Sequence, residues 1–360
     1  MQGQLEFGWF LPTAGDTTCY GDRSKWIVPS AEMFDRVVLA AEAAGFEYFL
    51  VPVAATCWEA WISSAMAVAK TKRIKALVAA RPGYVSPVQL AKMGATFDQL
   101  SGGRLAINLI AGQSEIETEA EGIKLPKEDR YALMDEDVTI MKALWCAPGS
   151  VTFDGRFHTL KGARISPQPL QRPYPRFYLG GGSMEAWALS AKHADVHLFW
   201  GDTPDRIEAN MTVIRGMAAR HGRTDLAFGM RLQICCRETE AEAWDAAREL
   251  VRGVTDAHTN YIRTHYAGSA ANQRVQQLAM EHGDLIGPHL WTGVTRVRPG
   301  AGIVVVGNPR QCADTLQQFI DLGCSSFCLS GYLHDEEAER FARLVRPLLA
   351  ERNAGRMLAA

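Results

Sequence analysis

Short apolar runs alternate with longer amphipathic ones along most of the chain. The runs LEFGWFLP, YFLVPV, IKALVAA, LAINLIAG, RFYLGG, DVHLFWG, FGMRLQICC and SFCLSG have the length and the aromatic and β-branched content of strands. Most are separated by helical patterns: Met33, Val37, Leu39, Ala40 and Ala44 recur between Ala31 and Ala44, and Asp205 to Arg220 runs up to the breaker HGR. Eight strands in β-then-α order predict one α/β domain over residues 1–360, a (β/α)8 TIM barrel with its active site at the carboxyl ends of the strands. A doubly wound sheet is the alternative. Residues 254–302 break the rhythm, with Gly, His, Asn and Gln scattered through them; they are expected to be an irregular insertion after the seventh strand and its helix, acting as a lid.

Composition narrows the classes of function. With 47% apolar and 22% charged residues and a net charge of −2, the chain can bury a large core and offers little to nucleic acid. No apolar run nears the ~20 residues that span a bilayer, and MQGQLEFGWFLP lacks the basic region and cleavage site of a signal peptide, so a cytoplasmic protein without membrane contact is expected. Eight cysteines include no Cys-x-x-Cys pair and read as reduced thiols, not as zinc ligands. His193 and His197 are four apart around HADVH, unlike the His-x-His strand end of a metal-dependent barrel hydrolase, and no metal site is expected.

In a barrel, side chains at strand ends share one mouth. Trp9, Cys57, Arg81, Asn108, Trp200, Arg231, Gln233, Tyr332 and His334 fall there, although singly each also reads as packing or as a helix-start hydrogen bonder. YLGGGSMEAW, residues 178–187, places three glycines and Ser183 between a strand and a helix. That arrangement suits a phosphate at a helix N-terminus, though a tight turn alone also uses glycine. In GAGIVVVGNP the glycines precede the strand-like run, the wrong order for a dinucleotide turn.

FGWFLPTAGD, VPVAATCWEAW, RPGYVSPVQLAKMGATFDQLSGGRLAINLIAG, DRYALMDE, QRPYPRFYLGGGS, ADVHLFWGDTPD, LWTGVTRVRPGAGIVVVG and LSGYLHDEEAERFA occur in order. Together they make the chain similar to the two-component alkanesulfonate monooxygenases of the bacterial luciferase-like flavin family. The resemblance implies a barrel that takes reduced FMN from a separate NAD(P)H-dependent flavin reductase, uses O2 as cosubstrate, and cleaves a carbon–sulfur bond to give sulfite and an aldehyde. A homodimer or homotetramer is expected. By the same resemblance Cys57, Arg231, Arg298 in the lid, Tyr332 and His334 are catalytic, and Trp200 lines the substrate pocket, with Trp9 beside it. Asn108, Gly112, Tyr131, Gly182 and Ser183 would hold FMN. The catalytic base stays open among them.

Two departures concern the substrate. The chain has Gln233 where the family usually has histidine, and Ala111 where it usually has threonine. An amide cannot titrate near neutral pH but offers two donors and an acceptor. Gln233 is therefore expected to hold substrate hydroxyls, which favours a polar sulfonate such as sulfoquinovose, giving 6-dehydroglucose, over a plain alkanesulfonate. The rivals are an F420-dependent oxidoreductase on the same barrel and a non-catalytic flavin carrier.

Overall fold

The computed structural model describes residues 3–112, 115–147 and 149–357. Its eight barrel strands are β1 (Glu6–Phe10), β2 (Tyr48–Val51), β3 (Lys75–Ala80), β4 (Leu105–Leu109), β5 (Phe177–Gly180), β6 (Val196–Trp200), β7 (Ala227–Cys236) and β8 (Cys324–Ser330). Each pairs in parallel with the next, and β8 returns to β1 through Phe7 opposite Phe327 and Trp9 opposite Leu329, which closes the barrel and excludes the doubly wound sheet.

Strands this apolar arise because both of their faces are covered. Phe10, Tyr48, Leu50, Leu77, Ala106, Tyr178, Leu198 and Cys328 fill the barrel interior. The alternate residues, among them Phe7, Trp9, Phe49, Val78, Ile107, Phe177 and Phe327, belong to the core shared with the outer helices. Those helices start where the sequence supplies caps: Ser30 accepts from the Met33 amide, Ser86 from Gln89 and Ser183 from Ala186.

The segment 254–302 corrects the sequence reading, because it is regular. It contains helices Asp256–His265 and Ala270–His282, two short strands, and a 3-10 turn over Gly293–Arg296. Its rhythm is hard to read because the helices are shallow: Ile262 is the one buried residue of the first, and Asn272, Val275 and Leu278 are those of the second. The run in GAGIVVVGNP is also a strand, Val304–Gly307, added in parallel to the last residues of β7 from Gln233 onward. This extension joins the 254–302 segment to the barrel wall. Among the described residues, no helix is long and apolar enough to cross a membrane.

Candidate active site

The carboxyl ends of the strands open onto one cavity of about 660 Å³, within the ~300–1,000 Å³ usual for a small-molecule site. One part of its lining is a cradle of backbone and hydroxyl groups. Gly180 to Ser183 leave β5 and turn into helix Met184–His193, with Ser183 as its N-cap. Gly181 has φ +136°, and a Cβ there would lie 2.8 Å from that of Ala186, so both conformation and space demand glycine. Across from it stands a second helix N-terminus: a Cβ on Gly182 would sit 3.6 Å from Ala271, at the start of Ala270–His282. Tyr131 joins Ser183 here, and burial raises its pKa, so the phenol remains a donor. Lys127 and Arg130 complete the lining. Two helix ends, hydroxyls and two cations in one place suit a phosphate group.

A second group of lining residues is also cationic. Arg231, on the inward face of β7, donates to the Leu232 carbonyl (2.7 Å), the Cys328 carbonyl (3.4 Å) and Ser330 Oγ (2.9 Å). Its guanidinium lies 4.6 Å from the centre of the Phe10 ring, and that of Arg298 lies 5.7 Å from the same ring. Among the described residues, neither arginine has a carboxylate within ion-pair distance. Burial, with the like charge of Arg298 adding to it, lowers the Arg231 pKa. Burial disfavours the Arg298 charge as well, but the Tyr332 and Tyr20 hydroxyls beside it raise its pKa overall, so Arg231 is the guanidinium that most lacks compensation and suits an anion.

Three rings surround this pair. Arg298 Nη1 donates to the Tyr332 hydroxyl at 2.9 Å, and the Tyr20 hydroxyl donates to the same oxygen at 3.0 Å. His334 is 1% exposed, with Nε2 unpartnered beside the cavity. Asp16 Oδ2 accepts the His334 backbone N–H at 2.8 Å and lies 2.9 Å from Nδ1. Cys57, in the loop after β2, and Trp200, at the end of β6, line the same cavity, as do Asn108 and Gly112. Burial raises the Cys57 pKa, so the thiol stays protonated at neutral pH.

Residues 5–326 match the model of the luciferase-like monooxygenase family. The chain belongs to that family. Its fold is shared by a riboflavin lyase, RcaE, solved with modified FMN and riboflavin (TM-score 0.82, 17% identity, 99% of this chain and 93% of that one). It is shared too by the EDTA monooxygenase EmoA of Chelativorans sp. BNC1 (TM-score 0.77, 16% identity, 97% and 94%). An F420-dependent secondary alcohol dehydrogenase with an F420–acetone adduct superposes as well (TM-score 0.69, 17% identity, 96% and 99%).

Within this family member, the site gathers eleven of the residues expected from sequence: Cys57, Asn108, Gly112, Tyr131, Gly182, Ser183, Trp200, Arg231, Arg298, Tyr332 and His334. Two substrate-binding assignments are corrected. Trp9 is fully buried on the outer face of β1, tilted against Phe46, with its indole N–H on the His334 carbonyl at 2.9 Å. Phe10, one residue on, faces the cavity instead, because successive strand residues point to opposite sides. Gln233 is 1% exposed, and its amide donates to the Ala301 carbonyl at 2.8 Å while its backbone N–H donates to Ile303. It fastens the loop at Ala301 and does not line the cavity. Arg81 is likewise outside the lining, held by Glu117 at 3.0 Å and by Glu121.

Asp16 and Tyr20 escaped the sequence reading. Both lie in PTAGDTTCYGD, the loop at the end of β1, and an acid and a phenol beside a barrel mouth were the available signal. The new place of Gln233 makes a prediction. Gln233→Ala should loosen the 298–301 loop and slow hydroxylated and unhydroxylated substrates alike, leaving their kcat/KM ratio within about twofold. A selective loss on the hydroxylated substrate would restore the direct contact.

Proposed function

We propose that the protein is a monooxygenase that uses reduced FMN and O2 to cleave the carbon–sulfur bond of an organosulfonate, releasing sulfite and an aldehyde. The observation that carries this reading is the pair Arg231 and Arg298, both against Phe10 and, among the described residues, without a carboxylate, lining the same cavity as the glycine turn suited to a phosphate. A sulfonate is a permanent anion with three acceptor oxygens, and forked guanidiniums match it better than a point charge does.

FMN fits the residues present. Gly181 leaves the backbone open where a side chain would strike Ala186, and Ser183, Tyr131 and the two helix N-termini suit its phosphate. Asn108, Gly112 and Cys57 line the same cavity and would be available to its ring system. Reduced FMN, when bound, supplies the electrons that activate O2. The chain then holds the sulfonate oxygens through Arg231 and Arg298. It keeps water out with the 254–302 segment, tied within itself by the Gly300 amide on Asn272 and fastened to the barrel through Gln233 to Ala301 and through Arg274 to Asp202. His334 Nε2 and the Tyr332 hydroxyl are the two groups of this lining placed to move a proton.

A polar sulfonate such as sulfoquinovose stays the specific candidate, supported now by the phenols Tyr20 and Tyr332 in the lining and no longer by Gln233. A separate NAD(P)H-dependent reductase would supply the flavin. The F420 reading has one observation in its favour, the shared fold, and one test separates the two. Sulfite should appear, across a sulfonate panel, only when reduced FMN and O2 are both present. Anaerobic turnover with reduced F420 would transfer the assignment to the oxidoreductase.

A further inference from the structure

We propose that Tyr20 is a positioning residue that aims the hydroxyl proton of Tyr332 into the cavity, toward the anionic group of the substrate; the inference rests on the sulfonate reading for the identity of that anion. A phenol oxygen can accept two hydrogen bonds and donate one. Tyr332 accepts from Arg298 at 2.9 Å and from Tyr20 at 3.0 Å, so both acceptor directions are taken. Its own proton must leave in the remaining direction, and Tyr332 lines the cavity beside Arg231 and His334.

Tyr20 is held for this task by contacts that have no part in the chemistry. Its backbone N–H donates to the Leu250 carbonyl at 2.9 Å, and the Cys19 thiol reaches the Arg252 carbonyl at 3.3 Å. A Cβ on the next residue, Gly21, would lie 2.2 Å from the Arg252 carbonyl oxygen, so the loop packs on the end of helix Glu240–Val251 with no room to spare. Edge-to-face contacts with Trp26 and Tyr332 fix the ring itself. Burial, then the nearness of Tyr332, raises the Tyr20 pKa well above its usual value, which keeps it a donor. The loop after β1, the loop after β8 and the 254–302 segment therefore meet on one oxygen. Without Tyr20, the Tyr332 proton is free to turn toward the vacated direction and away from the substrate.

The test is a double-mutant cycle with Tyr20→Phe and Tyr332→Phe, which keep both rings. Tyr20→Phe should lower kcat about tenfold, as expected for a lost neutral hydrogen bond, with KM within about threefold. Added to Tyr332→Phe, it should cost less than twofold more, because it acts through a hydroxyl that is already gone. Losses that multiply, or a Tyr20→Phe enzyme equal to wild type, overturn the inference. Calorimetric titration with inorganic sulfite reads the same geometry without turnover: Tyr20→Phe should bind about fivefold more weakly, and the double variant no more weakly than Tyr332→Phe. Thermal unfolding gives the cycle with no ligand at all, where the two losses should be less than additive. Strict additivity there overturns the Tyr20 contact whatever the substrate, whereas a wild-type enzyme that releases no sulfite overturns the sulfonate reading and leaves the unfolding cycle to decide on Tyr20.

Discussion

Replacing Arg298 by alanine is expected to slow sulfonate turnover between about 30-fold and 1,000-fold, while the affinity for reduced FMN changes by no more than about threefold. Arg298 belongs to the cationic group of lining residues, and the phosphate cradle is built from Gly181, Gly182, Ser183 and Tyr131 without it. Removing one charged partner from a desolvated anion costs about 2–5 kcal/mol, which gives that range of rates. The Tyr332 oxygen also loses a donor, so substrate order suffers twice. Electrons reaching O2 without an ordered substrate should appear as hydrogen peroxide, and its release per flavin consumed should rise. Stopped-flow kinetics, flavin titration and a peroxide assay check all three; near-normal turnover would remove Arg298 from the site.

Arg231→Met is expected to abolish turnover, by at least about 1,000-fold, with little loss of stability. Arg231 is 6% exposed and, among the described residues, has no carboxylate partner, so the fold carries an uncompensated cation at this point. Replacing a buried charge by an apolar residue of similar volume is often neutral, or stabilising by about 1–4 kcal/mol. Against this stand the contacts to the Leu232 and Cys328 carbonyls and to Ser330, which methionine cannot make. The two effects offset, and the unfolding midpoint should move by less than about 5 °C. A variant that is active, or one that fails to fold, would contradict the view that Arg231 is kept for an anion and not for the barrel. Arg231→Lys should be almost as inactive, since a compact ammonium cannot reproduce the fork.

The barrel was legible in the sequence because its strands are buried on both faces, which produces eight uninterrupted apolar runs between amphipathic helices. The strand-end positions of Cys57, Asn108, Trp200, Arg231, Tyr332 and His334 followed from that order alone. The same double burial concealed orientation. Trp9 and Phe10 are both apolar and adjacent, and period-two alternation says that they face opposite ways without saying which one faces the cavity; helix packing against Trp9 decides it. In the 254–302 segment, the helices bury too few residues to show a period.

The sequence by itself determined the barrel and the glycine turn after β5, because each strand, helix and turn that builds them is encoded within a short local stretch. Only the tertiary structure decided which distant side chains meet. Asp16 meets His334 across 318 positions, Tyr20 meets Tyr332 across 312, and Gln233 meets Ala301 across 68. Such contacts exist because closing the barrel brings β8 beside β1, and because the strand Val304–Gly307 carries the 254–302 segment back to β7. Local sequence fixes how a segment folds, whereas pairings between distant segments are set by the closure of the whole chain.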